Sequence, residues 1–366
     1  MSDFPLAQAF PPGEFLKDEL EARKWTQSDL ADIMGRHVSV VNEIILGKRA
    51  LTADTAQALA DALGGSAQFW LNLESIYRLW LLPKDDSISR RARLFAKAPV
   101  REITRRGWIT ESQSIDVLEQ EVENFLQFAN LAHAARKSTP YDEPMNPGQQ
   151  AWLCRARQLA PAAQVTSQFS KAKFPELVAE LKSLAEAPEN AAHVPRVLAK
   201  YGIRFLMVEA LAGAKIDGAS FWLDSTPVIV LSLRFDRIDH FWFTLMHEIA
   251  HIWFEDGTVL DLDIVSAASP DQTEIEKRAD NFASAALIPT EHLRDFIIRI
   301  RPLFSAIRIQ NFARTMQVHA GIVVGQLQHM HEIGYQNLRR MLVPVRGIVT
   351  RTTLTDGWGS QLPDFS

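Results

Sequence analysis

At 366 residues the chain is about twice the usual domain length, so two or three separate cores are expected rather than one. Apolar residues make up 47% and charged residues 23% with a net charge of -5, and no uninterrupted apolar run approaches the roughly 18 to 20 residues that cross a bilayer, so no membrane span is expected. Cys154 is the sole cysteine, which excludes an intrachain disulfide and a cysteine-rich metal site, and "MSDFPLAQAFPPGEF" lacks the basic and apolar regions of a secretory signal; a cytoplasmic protein is expected.

Residues 13 to 80 read as short helices with tight turns. In "WTQSDLADIMGRHVSVVNEIILGKRALTADTAQALADALG", Thr26 can cap a helix carrying Leu30, Ala31 and Ile33, and Gly35 permits a tight turn. The next helix is expected to turn Val38, Val41 and Ile45 inward and to end at Gly47. Arg36, His37, Ser39, Asn42 and Glu43 then face outward, with Lys48 and Arg49 just beyond. A helix-turn-helix of this form offers polar groups to base edges, while Gln27, Lys48 and Arg49 can hold phosphates. Charge opposes this: residues 1 to 80 hold seven Lys/Arg and eleven Asp/Glu, a local net of -4 that suits a helical packing module as well.

"LLPKDDSISRR" at 81 to 91 reads as a boundary, because proline and clustered charge interrupt the apolar periodicity. From Arg90 to Arg106 seven basic residues face the single acid Glu102, a local +6 that fits a solvated helix face or a phosphate-contacting surface. A helix is expected over 114 to 137, where Ile115, Leu118, Val122, Phe125 and Leu126 keep helical spacing, then a loop at 138 to 150 and helices near "AWLCRARQLA" and "FPELVAELKSLAEA". Strand-like runs begin after residue 200 with "GIRFLMVE", "ASFWLD" and "PVIVLSLRF". One of the last two is expected to form a sheet edge on which an extended peptide could pair.

Directly after the strands comes "HFWFTLMHEIAHIWF". His247 and His251 are four apart, on one face of a helix, and can present imidazole nitrogens to one zinc ion; Glu248, about 100° round, is placed as general base for a water on the metal. Phe241, Trp242, Leu245, Met246, Ile249, Ile252 and Trp253 imply burial, and three ionisable groups in such a helix are costly unless something such as a metal satisfies them. In the following helix, "EIEKRADNFASAALIP", Glu276 can close the metal site while Asp280 accepts the second N–H of a zinc histidine; Glu274 is the competing ligand. Later helices include "FSAIRIQNFARTMQV" and "GIVVGQLQHM". His319 and Tyr335, in this C-terminal part, are candidate transition-state stabilisers, although a structural role suits both. The tail from residue 347 has little periodicity and is expected to be loosely ordered.

The pattern at His247, Glu248, His251, Glu276, Ala279, Asp280, Phe282, Ala283, Leu287 and Pro289 resembles the ImmA/IrrE zinc metallopeptidases over roughly residues 200 to 290. That resemblance implies zinc held by His247, His251 and Glu276, with Glu248 as catalytic base. Arg278 departs from the acid or Gln of many relatives. "TQSDLADIMG", "VNEIILGKRALTADTAQALADALG" and "AQFWLNLESIYRLW" are similar to the Xre/HigA helix-turn-helix family, the DNA-binding antidotes of toxin-antitoxin modules, which implies a homodimer on an operator with two half-sites.

The expected architecture is multidomain: an all-α helix-turn-helix domain at 1–82, a helical connector with the basic segment at 83–198, an α+β zincin-like metallopeptidase domain with C-terminal helices at 199–346, and a tail at 347–366. The expected function is transcription regulation joined to zinc endopeptidase action on a helix-turn-helix repressor, a toxin partner or the chain itself. Two alternatives stand: a non-proteolytic HigA-like antidote whose zinc domain is sensory or structural, and a peptidase whose helix-turn-helix binds protein.

Overall fold

The computed structural model describes residues 9–83, 85–127, 145–262 and 273–357. The chain forms two compact units, residues 1–88 and 89–366.

In the first unit α1 (Pro12–Arg23), α2 (Gln27–Ile33), α3 (Val38–Ile45), α4 (Ala53–Leu63) and α5 (Ala67–Leu81) enclose Leu16, Leu20, Leu30, Val41, Ile44, Leu59 and Trp70. Short polar residues start α2, α4 and α5. Thr26 and Asp29 form a capping box on α2, and Thr52 and Ser66 cap α4 and α5, each satisfying first-turn N–H groups that would otherwise lack partners. Gly35, at φ 62°, makes the turn between α2 and α3. The core stripe differs from the expected one: Ile44 faces inward at 3% exposure, whereas Ile33 is 52% and Val38 38% exposed. Ile33 is the last residue of α2 and Val38 the first of α3, so both lie at helix ends beyond the packed stripe.

The second unit opens within α6 (Ser87–Lys97) and continues with α7 (Val100–Arg105), α8 (Ile115–Leu126) and α9 (Pro147–Leu159). The expected loop at 138–150 stops short, because Asn146 and Gln149 form a capping box that starts α9 with Pro147 at its first position; residues 128–144 lie outside the described ones. α10 (Phe174–Leu184) and α11 (Val194–Lys200) follow, then β1 (Arg204–Met207), β2 (Ile216–Leu223), β3 (Thr226–Leu231), α12 (Ile238–Phe254), β4 (Val259–Leu262), α13 (Glu274–Leu287), α14 (Thr290–Ile300), α15 (Ala306–Met316), α16 (Ala320–His329), α17 (Arg346–Val349) and β5 (Leu354–Thr355).

Among the described residues the strands form one mixed sheet in the order β4-β2-β3-β1-β5. Alternation along the strands sorts side chains to its two faces. Phe205, Met207, Ile229 and Leu231 join one core with α12 and the C-terminal helices; Leu206, Val208, Val228 and Val230 join another with residues of α6 to α9. Described residues of α6 to α9, in the segment expected as a connector, therefore pack on the sheet, where Trp152 donates its indole N–H to the Val208 carbonyl at 2.8 Å.

Two expectations need correction. Neither β2 nor β3 is an edge, since each is paired on both sides; the edges are β4 and β5, too short for their alternation to show in the sequence. The region after 346 is also not wholly loose: Leu354 and Thr355 pair in parallel with Leu206 and Met207, and Asp236 accepts backbone N–H bonds from Val345 and Arg346. Residues 358–366 lie outside the described ones.

Cys154 is fully buried in α9, and burial pushes its thiol up to about 12, offset only in part by the Arg157 charge. The thiolate is the reactive form. Native protein should therefore resist iodoacetamide at neutral pH, with labelling appearing only as urea unfolds the unit; rapid labelling of native protein contradicts this.

Candidate metal centre and the helix-turn-helix face

Helix α12 carries the histidines through the second unit, and between Ile238 and Ile252 every residue but Phe243 is buried. It ends at Glu255, whose left-handed backbone (φ 59°) lets its N–H and that of Asp256 close on Ile252 and His251 carbonyls. The chain then returns through β4, which brings Asp261 to the imidazoles.

The two imidazoles are held alike. His247 Nδ1 lies 2.8 Å from Asp280 Oδ1, and His251 Nδ1 lies 3.0 Å from Asp256 Oδ2, so each ring has a carboxylate to fix its tautomer. Arg278 in turn holds the other Asp256 oxygen and lies over the Phe254 ring. The two Nε2 atoms thereby face one another at 3.0 Å. Glu276 Oε2 is 3.2 Å from His247 Nε2, and Asp261 Oδ2 is 3.5 Å and 3.7 Å from the two Nε2 atoms. One donor atom each from His247, His251, Asp261 and Glu276 lies within 4.8 Å of the other three.

The donor set fits a zinc-like ion. Two imidazoles and two carboxylates are its preferred nitrogen and oxygen ligands. Both Glu248 oxygens, Asp261 Oδ2 and Glu276 Oε1 are buried without a hydrogen-bond partner, a costly arrangement that a cation would relieve. Glu248 lies against the backbone of β2, where a β-carbon on Gly218 would collide with its Oε1.

Burial opposes charge on His247, but Asp261, Asp280 and Glu276 overcome it and hold the imidazole pKa well above its ordinary value. Burial, then the Asp261 charge, raises the carboxyl pKa of both Glu248 and Glu276. Burial also disfavours the Asp261 carboxylate, yet the two histidines outweigh it and keep it ionised below the usual range. A metal takes neutral imidazole, so its uptake displaces the His247 proton. Metal affinity should accordingly fall as pH drops through that raised pKa.

Asp256 and Asp261 are the residues that sequence reasoning missed. Asp256 carries a faint signal, an acid just past the histidine helix; Asp261 carries one, an acid within the apolar strand "VLDL". Of the candidate stabilisers, Tyr335 lines a cavity of about 290 Å³ together with His240, Phe243, Asp280 and His329. His319 is instead the N-cap of α16, its Nδ1 accepting the Gly321 N–H at 3.0 Å.

On the first unit, His37 caps α3, and its Nδ1 accepts the Ser39 N–H. Ser39, Asn42, Lys48 and Arg49 are exposed; Gln27 and Arg36 are half-buried. Two of these cations are already paired, Arg36 with Asp54 and Arg49 with Glu43. In the basic run of the second unit, Arg90 bridges to Asp116 and Glu119, and Arg106, its side chain 3% exposed, binds Glu102 and the Glu209 and Ala210 carbonyls. Arg93, Lys97, Arg101 and Arg105 stay exposed.

Residues 199–320 match the family described as IrrE N-terminal-like domain, and residues 16–70 match the one described as helix-turn-helix. The chain belongs to the helix-turn-helix family through its first unit, and its second unit carries an IrrE N-terminal-like domain. Virulence-associated protein I of Dichelobacter nodosus is 38% identical over 78 residues, covering 21% of this chain and 72% of that protein. Antitoxin HigA-1 of Vibrio cholerae is 45% identical over 69 residues, 19% of this chain and 65% of that protein. The uncharacterized HTH-type transcriptional regulator YddM of Escherichia coli is 31% identical over 83 residues, covering 23% and 88%. A solved addiction module antidote protein of a HigA family from Coxiella burnetii shares 32% identity, covers 24% of this chain and 95% of its own, and has a TM-score of 0.22. Among the described residues no helix is long and apolar enough to cross a membrane.

Proposed function

We propose that the chain is a DNA-binding regulator whose second unit is a zinc endopeptidase, acting on a repressor, a toxin partner or itself. The observation that carries the peptidase reading is the convergence of His247, His251 and Glu276 beside the buried, unpartnered carboxylate of Glu248. Zinc, when bound, supplies a Lewis acid that polarises the scissile carbonyl and activates water. Glu248 accepts a proton from the attacking water at one carboxylate oxygen and later returns it to the departing nitrogen. Asp280 and Asp256 hold the imidazoles in register, and of the two candidate stabilisers Tyr335 is favoured because it lines a cavity together with Asp280.

Elemental analysis of the full-length protein tests the metal. Wild type should carry about one zinc per chain and His251→Ala almost none, because losing a ligand leaves the cage incomplete. Equal zinc in both removes the site from this helix pair.

The relatives' regulatory and antitoxin names support a DNA-binding role for the first unit, where Ser39 and Asn42 are assigned to base edges and Lys48 and Arg49 to phosphates. On duplexes selected from a random library, Arg49→Ala should weaken binding and reduce the slope of log affinity against log salt by about one unit. An unchanged slope assigns Arg49 to Glu43 alone. A second reading, a regulator whose zinc site is structural or sensory, draws on one observation, the fourth donor Asp261.

A further inference from the structure

We infer that Asp261 is a removable fourth ligand, and that β4 keeps the peptidase latent by occupying both the open coordination position and the strand position that a substrate would take. This inference rests on the metal reading above and concerns its regulation. Catalytic zinc sites keep one position open beside three protein ligands, whereas closed four-ligand sites are structural. Here Asp261 Oδ2 is the fourth donor, 3.5 Å and 3.7 Å from the two imidazole Nε2 atoms.

Local backbone geometry aims it there. β2 pairs with β4 antiparallel as Ser220↔Val259, Ala219↔Leu260 and Gly218↔Asp261, and then shifts to Ile216↔Leu262, leaving Asp217 as an extra residue. Such a bulge bends its strand and re-aims neighbouring side chains. Gly218 lies directly opposite Asp261 and is also the residue whose missing β-carbon makes room for Glu248.

Two observations separate a latent enzyme from a structural zinc site. A structural site has no use for Glu248, yet its carboxylate is fully buried with neither oxygen hydrogen-bonded, an expense that base chemistry explains. The closing residue also comes from a sheet edge: among the described residues β4 is four residues long and pairs only with β2, whereas the other three donors lie on long packed helices. If β4 leaves, the same backbone edge of β2 is free to pair with an extended peptide, and the carboxylate goes with it.

The test uses the full-length chain loaded with Co2+, its visible absorption titrated with acetohydroxamate, and unfolded casein as the protein probe. Wild type should bind Co2+, show a spectrum indifferent to hydroxamate and leave casein intact. Asp261→Ala and the volume-conserving Asp261→Asn should retain Co2+ and bind hydroxamate at least about tenfold more tightly, a difference of about 1.4 kcal/mol. They should also cleave casein, and adding Glu248→Gln should stop that cleavage. A wild-type spectrum that responds as strongly as the variants overturns the inference and leaves the metal reading standing. Folded Asp261→Asn that no longer holds Co2+ also overturns it, since the aspartate is then an indispensable structural ligand. Wild type that binds no more Co2+ than His251→Ala overturns the metal reading and the inference with it.

Discussion

Glu248→Gln is expected to lower peptide hydrolysis by about 100- to 10,000-fold, the usual contribution of a positioned general base, while zinc content stays unchanged. The comparison is made in the Asp261→Asn background, where the coordination position is open. Gln fills the same volume and still forms hydrogen bonds, but it cannot take up a proton at neutral pH. Glu248 contributes no atom to the four-donor group, so the metal has no reason to leave. The substitution also removes a buried carboxylate whose ionisation burial opposes, so the variant should fold at least as well as its parent. Hydrolysis and zinc are read on one preparation. Unchanged hydrolysis with zinc in place removes Glu248 from the chemistry.

Trp242→Ala should destabilise the second unit by about 3 to 5 kcal/mol, the range for truncating a buried aromatic side chain. Trp242 is fully buried on α12, one residue after Phe241, with their ring centroids 5.3 Å apart. It belongs to the core that α12 shares with the sheet and the C-terminal helices, so the void would open beneath the helix that carries both histidines. Urea unfolding followed by near-ultraviolet circular dichroism gives the loss, and zinc retention during dialysis should weaken in parallel. A loss below about 1 kcal/mol would mean that the core collapses around the gap.

Legibility followed sequence distance. His247, Glu248 and His251 span five residues, and Glu276 and Asp280 another five, so helical periodicity alone places each set on one face. The order of helices, strands and helices was legible for the same reason, through apolar spacing and turn residues. Asp261 was not, because its aim depends on a bulge two strands away in sequence, between Ile216 and Gly218. Charge misled in a related way: Arg90 and Arg106 stand in a basic run, but Asp116, Glu119 and the Glu209 carbonyl claim them through folding. At Ile33 and Val38 the periodicity was sound, and the helix ends moved both residues off the packed stripe.

The pairing of β5 with β1 gives the two halves different birthdays. Leu206 and Met207 leave the ribosome early, but their parallel neighbours at Leu354 and Thr355 arrive almost 150 residues later, whereas the first unit needs nothing beyond Ile88. At ordinary synthesis rates the interval is on the order of tens of seconds. For that time each nascent chain exposes a finished helix-turn-helix while the sheet beneath His247 and His251 still lacks a strand. A messenger cut short before Leu354 would consequently yield the helix-turn-helix unit with an unfinished second unit.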